Sequence, residues 1–185
     1  MKELSLNILD IAQNSVKAGA TVITVEIIEQ GPLLTFRITD DGRGMTPEFV
    51  ESVLDPFTTT RTTRKVGLGL PLLKMAAEST GGNISVVSRD AGSYPDHGTT
   101  VTATFRTDHI DCLPLGDIVS TLVLLIQNAP FAPRYIYRHA KDGREFRLDT
   151  DEFRAELGRD IPLSEPAVLE FIREYAEEGE NTLKD

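Results

Sequence analysis

The opening segment switches between two periods in a way that only a layered α/β fold can use. Leu4, Ile8, Ile11, Ala12 and Ser15 recur at helical spacing, and Gly19 follows Lys17 and Ala18 where a C-terminal capping glycine belongs. The period then drops to two. Ile23, Val25 and Ile27 share one face of the stretch from Thr21 to Gln30, Gly31 and Pro32 punctuate, and Leu34, Phe36 and Ile38 alternate again up to Asp40. Thr46 can cap a short helix that has Pro47 at its first position and runs to about Leu54. The stretch from Asp55 to Val66 has no apolar period and reads as a long mobile loop, of a length that is usually functional or disordered. Helix resumes from about Gly69 to Thr80. Ile84 and Val86, then Val101, Ala103 and Phe105, supply two more strands. Helices interleaved with such strands predict a two-layer α/β sandwich, a mixed sheet with helices on one face.

Composition shifts near Arg106 and predicts two parts, 1–106 and an extension over 107–185. The extension reads as helix, hairpin and helix: a helix from Asp117 to Gln127, a hairpin around Lys141, Asp142 and Gly143, and acidic helices starting near Asp151 and Pro166. The apolar run Leu122 to Ile126 is expected to cover surface that the first part leaves open, or else to form a homodimer interface, because a solvated run of that kind is a liability.

A formal charge of -10 argues against a nucleic-acid or anionic-membrane surface. The exception is a small basic cluster, Arg61, Arg64 and Lys65. Cys112 stands alone, so no intrachain disulfide can form, and it reads as a buried small hydrophobe. The first residues lack a basic region, an unbroken apolar run and a small-residue cleavage site. The longest apolar run is far short of the roughly 20 residues a membrane helix needs. A cytoplasmic protein is expected.

Three stretches could carry chemistry. Asp10 and Asn14 lie one helical turn apart on one face, where a carboxylate and an amide oxygen can share a metal ion and a water, or simply form the wet side of a helix. Asp40 and Asp41 open a D-x-G-x-G turn directly after an apolar strand. Gly42 and Gly44 let the backbone bend and approach a ring there, and a carboxylate fixed at such a strand end can accept an amino proton. Gly67, Leu68, Gly69 and Leu70 start a helix whose free N–H groups make an anion site. No strand immediately precedes this GLGL, so it is no Rossmann fingerprint, and the chain has no G-x-x-x-x-G-K-[ST].

Taken in order, ILDIAQNSVKAGA, DDGRGM, DPFTTTR with VGLGL, and HGTT resemble the N box, first glycine box, lid with second glycine box, and final box of the GHKL superfamily. That superfamily comprises gyrase, the heat-shock chaperone relatives, histidine kinases and MutL. The resemblance covers residues 1 to 106 and implies ATP and Mg²⁺ as cofactors. It makes Asn14 the Mg²⁺ ligand and Asp40 the adenine-reading carboxylate, with Gly42 and Gly44 shaping the base pocket and Thr99 supporting the adenine. It puts the backbone amides of Gly67, Leu68, Gly69 and Leu70 on the phosphates. Arg61, with Arg64 and Lys65, either reaches the terminal phosphate or only shapes the lid. One protein oxygen, phosphate oxygens and waters suit Mg²⁺.

Two departures from the family pattern bear on function. The position four before the family asparagine is a glutamate general base in the ATPases, and here it is Asp10, one methylene shorter. A base misplaced by an ångström can lose about 10²-fold in rate, so slow turnover is expected. A phosphoacceptor histidine would precede the N box, whereas His97, His109 and His139 all follow it, so a self-phosphorylating histidine kinase is not expected. A lone unit of this kind also resembles the anti-sigma-factor serine kinases, which phosphorylate a separate protein. The expectation is a Mg-dependent ATP-binding protein acting as a kinase-like or slow ATPase regulator of a partner protein. The alternative is an ATP-gated binding module without chemistry.

Overall fold

The opening stripe becomes helix α1, Leu4–Lys17, in which Leu4, Ile8, Ile11 and Ala12 are buried. Its first free N–H groups are satisfied from far along the chain: Leu4 N–H donates to Pro114 O at 3.0 Å and Ser5 N–H to Leu115 O at 2.8 Å. The computed structural model describes residues 3–55, 69–129 and 131–184. After α1 come β1 (Val22–Gln30), β2 (Leu33–Asp40), α2 (Pro47–Val53), α3 (Gly69–Ser79), β3 (Asn83–Arg89) and β4 (Gly98–Arg106). The later part contributes α4 (Ile118–Asn128), β5 (Arg134–Lys141), β6 (Arg144–Asp149), α5 (Thr150–Leu157) and α6 (Pro166–Asn181).

The strands form one six-stranded sheet in the order β3-β4-β2-β1-β5-β6. Every neighbouring pair is antiparallel except β1 with β5, so the sheet is mixed. Strand period dictates which face is covered. Ile23, Val25, Ile27, Leu34, Phe36, Ile38, Val101, Ala103, Phe105, Tyr135 and Tyr137 are buried. The alternate residues Thr24, Glu26, Thr35, Arg37, Thr100 and Thr102 stay partly exposed, as expected of a sheet with one solvated face. Over the apolar face α3 packs beside α1, α1 beside α4 and α4 beside α6. Phe36 and Phe105, fully buried and stacked with ring centroids 5.7 Å apart, lie in this core, and burying a side chain of that size is worth about 1.5–3 kcal/mol.

The apolar run expected to cover open surface is α4, and it does so between α1 and α6, with Leu122, Val123, Leu125 and Ile126 buried. Asp117 caps it, accepting from Ser120 N–H at 2.9 Å. The hairpin closes on Asp142 and Gly143 at φ 46 and 86, the positive pair that a two-residue turn demands. Its first strand lies against β1, so residues beyond Arg106 extend the same sheet. Among the described residues no helix is long and apolar enough to cross a membrane.

Candidate functional site

The register places three side chains in a row at one end of the sheet, because Asp40 on β2 pairs with Thr99 on β4 and Thr99 with Ser88 on β3. Asp40 also pairs with Ile23, whose side chain is fully buried, so the row faces the helices. Helix α1 reaches this row. The buried Ser15 hydroxyl donates to Asp40 Oδ2 at 2.5 Å, and Gly42 N–H donates to Asp40 Oδ1 at 2.9 Å. Each oxygen of this carboxylate keeps a lone pair for a further donor.

The neighbouring carboxylate has a different task. Asp41 Oδ1 accepts from the N–H groups of Thr21 at 2.7 Å and Val22 at 2.9 Å, and its other oxygen accepts the Thr21 hydroxyl, so it fastens the turn to the start of β1. Burial alone would push the Asp41 carboxyl up, but the Thr21 hydroxyl and the two N–H groups outweigh it and hold it below the ordinary 3.8. The turn between the two is glycine for space as well as for conformation. A Cβ on Gly42 would stand 2.9 Å from Ala18 Cβ, and Gly44, at φ 66, would drive one into the carbonyl of Arg89. His97 completes the turn by donating from Nδ1 to Gly42 O at 2.6 Å. From the sequence His97 is only a histidine beyond the N box, and nothing local shows that it holds the turn at Gly42.

Ser88 supports Thr99. Its Oγ accepts from Met45 N–H at 2.9 Å and donates to Gly98 O at 2.9 Å, while Thr99 Oγ1 lies 2.8 Å away. With the single Ser88 hydrogen committed to Gly98, Thr99 donates to Ser88 and its own oxygen remains free to accept.

On α1, Asp10 is half-buried and Asn14 exposed. The Asp10 carboxylate lies directly over the α-carbon of Gly69, where a Cβ would overlap Oδ2, so the acid faces the first residue of α3. Leu70, next along, packs partly buried against the core. One helix therefore joins three positions: Asp10 at the start of α3, Asn14 one turn on, and Ser15 on Asp40. Arg61, Gly67 and Leu68, with Arg64 and Lys65, lie outside the described residues. Sequence reasoning placed Ser15 in the apolar stripe of α1 and assigned it no role. The signal was there in its polarity at a buried helical position, but nothing local named its partner.

The oxygen donors available to a metal ion are the Asn14 amide and the Asp10 carboxylate. Among the described residues no group of three or more His, Cys, Asp or Glu could hold an ion. Such a set suits a hard cation that brings most of its own ligands, as Mg²⁺ does with nucleotide phosphates and water. The residues present fit that ion, and Asn14 would hold it.

Residues 2–109 match the family model described as histidine kinase-, DNA gyrase B-, and HSP90-like ATPase. The chain is 30% identical over 97 residues to the sensor protein KdpD of Clostridium acetobutylicum, an alignment covering 50% of this chain and 11% of that protein. It is also 30% identical over 118 residues to the cell-division control histidine kinase PdhS of Brucella anthropi, covering 57% of this chain and 11% of that one. The chain thus spans about a tenth of the length of these curated relatives. Among solved structures, the N-terminal domain of a DNA repair protein superposes with a TM-score of 0.58 at 17% identity, covering 80% of this chain and 53% of that one. The Aquifex aeolicus MutL ATPase domain complexed with ADP superposes with a TM-score of 0.51 at 19% identity, covering 80% and 63%. That share of this chain exceeds what residues 2–109 make up, so the common fold reaches into the later strands and helices. With the family model matched over more than half its length, the chain belongs to the histidine kinase-, DNA gyrase B- and HSP90-like ATPase family.

Proposed function

We propose that this protein binds Mg-ATP at the end of the sheet beneath α1 and uses it, as a kinase-like or slow ATPase regulator, to act on a partner protein inside the cell. The family supplies ATP binding. The observation that carries the rest is α1 itself, which holds the base-reading carboxylate through Ser15, the residue after Asn14, and sets Asp10, one turn before Asn14, against the start of α3. In this reading Asp40 accepts the adenine amino hydrogen, Thr99 accepts through a water, and the first N–H groups of α3 at Gly69 and Leu70 face the phosphates. Mg²⁺ on Asn14, when bound, neutralises charge developing on the terminal phosphate. Asp10 takes the proton from the attacking oxygen of a water or a partner hydroxyl as the new P–O bond forms and the bond to ADP breaks. Its short side chain sets the turnover low.

The test is transfer and release of label from γ-labelled ATP, with Mg²⁺, alone and with candidate partner proteins, for wild type, Asp10→Asn and Asn14→Ala. Phosphate release or transfer should collapse in Asp10→Asn while ATP still binds. Equal behaviour of wild type and Asp10→Asn with every partner would replace catalysis by the second reading, an ATP-gated binding module. Asp40→Asn tests the pocket separately, and unchanged ATP affinity there would remove the assignment of the base site.

A further inference from the structure

A second cluster of titratable groups lies on the helix-facing side of the sheet, four strands from Ser88 and outside the nucleotide site. His139 on β5 is 3% exposed, and both of its ring nitrogens meet carboxylates. Nε2 is 2.9 Å from Glu29 Oε1 on β1, and Nδ1 is 2.9 Å from Glu180 Oε2 in the last turn of α6. Glu180, itself 8% exposed, also accepts the Tyr137 hydroxyl on Oε1 at 2.7 Å. Carboxylates only accept, and a neutral imidazole has one N–H. With both carboxyls ionised, both short contacts are hydrogen bonds only when the ring carries two protons.

We propose that His139 is a proton-operated clamp: doubly protonated it fastens the last turn of α6 to β1 and β5, and on losing a proton it releases that turn. The geometry identifies which partner yields. Glu29 belongs to a strand hydrogen-bonded on both sides, to β2 and to β5, whereas Glu180 stands in the final turn of a helix. When one ring nitrogen presents a lone pair to a carboxylate at this distance, the repulsion is relieved by moving α6. His139, Glu29 and Glu180 line a cavity of about 290 Å³.

The other charges around the ring do not supply a substitute proton. From β5, Lys141 pairs with the far oxygen of Glu29 at 3.7 Å, and Tyr137 is held well above 10 by burial and then by Glu180, so it remains a donor. Asp117, at the start of α4, and Lys184, beyond α6, face the same cavity. Burial pulls the His139 pKa down, but Glu180 and then Glu29 outweigh it and hold the pKa above the ordinary 6.5. A raised value means that the clamp is complete below 6.5 and is lost as pH rises through the folded value.

The test uses the full chain. The His139 ring is titrated by NMR, and amide exchange is followed over α6, β1 and β5 from pH 6 to pH 9 and corrected for the intrinsic rate. His139 should titrate above 6.5. Protection in the last turn of α6 should fall by up to about tenfold per pH unit from there to the folded value, the slope of one linked proton, while β1 and β5 hold theirs. Glu180→Gln is the isosteric control. Its amide can donate to one ring nitrogen and still accept from Tyr137, leaving a neutral ring to donate to Glu29. This variant should keep the fold and lose the pH dependence. A wild-type ring titrating at or below 6.5, pH-independent protection of α6, or an undiminished slope in Glu180→Gln would each overturn the clamp.

Discussion

Removing the Ser15 hydroxyl should loosen nucleotide recognition without touching the nucleotide. The Ser15→Ala change deletes the 2.5 Å bond to Asp40 Oδ2 and leaves, among the described residues, Gly42 N–H on its other oxygen. A hydrogen bond to a charged group contributes about 1.5–3 kcal/mol to stability, and because Asp40 is only half-buried, water can replace part of it. The loss in folding stability should therefore sit near the lower end, about 1.5 kcal/mol. For binding, the freed carboxylate must be ordered again when the adenine arrives, and immobilising one such side chain costs about 1 kcal/mol. That converts to a roughly fivefold weaker Kd for ATP. Titration calorimetry on wild type, Ser15→Ala, Asp40→Asn and the double variant separates the possibilities. If Ser15 acts through Asp40, its replacement should add almost nothing in the Asp40→Asn background. A full additive loss there, or an unchanged Kd in the single variant despite lower stability, would refute the reasoning.

Three further outcomes follow from contacts already described. Gly69→Ala should fold, because among the described residues its Cβ meets only the tip of Asp10, and should cut turnover at least tenfold by displacing that carboxylate while ATP affinity stays within about twofold, read by phosphate release and calorimetry. Asp149, 1% exposed, accepts from Arg134 and Arg147 and caps α5, so Asp149→Ala should cost about 3 kcal/mol in urea unfolding. Arg134 foremost holds this carboxyl below the ordinary 3.8, so its contribution is complete above 3.8 and is lost as pH falls through the folded value, where wild type and variant should converge. A chain cut after Arg106 should lose solubility, since Leu4 and Ile8 on α1 and the β1 edge would lose the cover of α4 and β5; recovery of a monomeric, ATP-binding fragment would show the later strands to be dispensable.

What the chain declares locally is what could be read from it. The α1 stripe, the alternation of Ile23, Val25 and Ile27, the helix beginning at Asp117 and the Asp142-Gly143 turn all express a preference within a few residues, and each forms where its spacing places it. The turn at Asp40, Gly42 and Gly44 was legible because glycine and aspartate mark it. Ser15 and Ser88 were not, because a serine in a helix or strand looks the same whether it is idle or bonded to a carboxylate 25 positions away. The parallel pairing of β5 with β1 was equally hidden. Alternation tells a strand which face to bury and says nothing about which neighbour to choose.

That pairing matters to the site through one residue. The N–H and hydroxyl of Thr21 are held by Asp41 in the turn that follows Asp40, and its carbonyl accepts Arg134 N–H at 2.9 Å at the start of β5. The cross-sheet row continues from there: Tyr135 pairs with Ile23, Ile23 with Asp40, and Asp40 with Thr99. Without β5, β1 would be an edge strand, and a one-residue slip at an edge turns every side chain to the opposite face. Such a slip of β1 past β2 would turn Ile23, Val25 and Ile27 to the solvated side and draw Thr21 away from Asp41, which anchors the turn after Asp40. By flanking β1, β5 turns the strand that anchors the turn after Asp40 into an interior strand. The later part of the chain therefore contributes to the proposed nucleotide site through register.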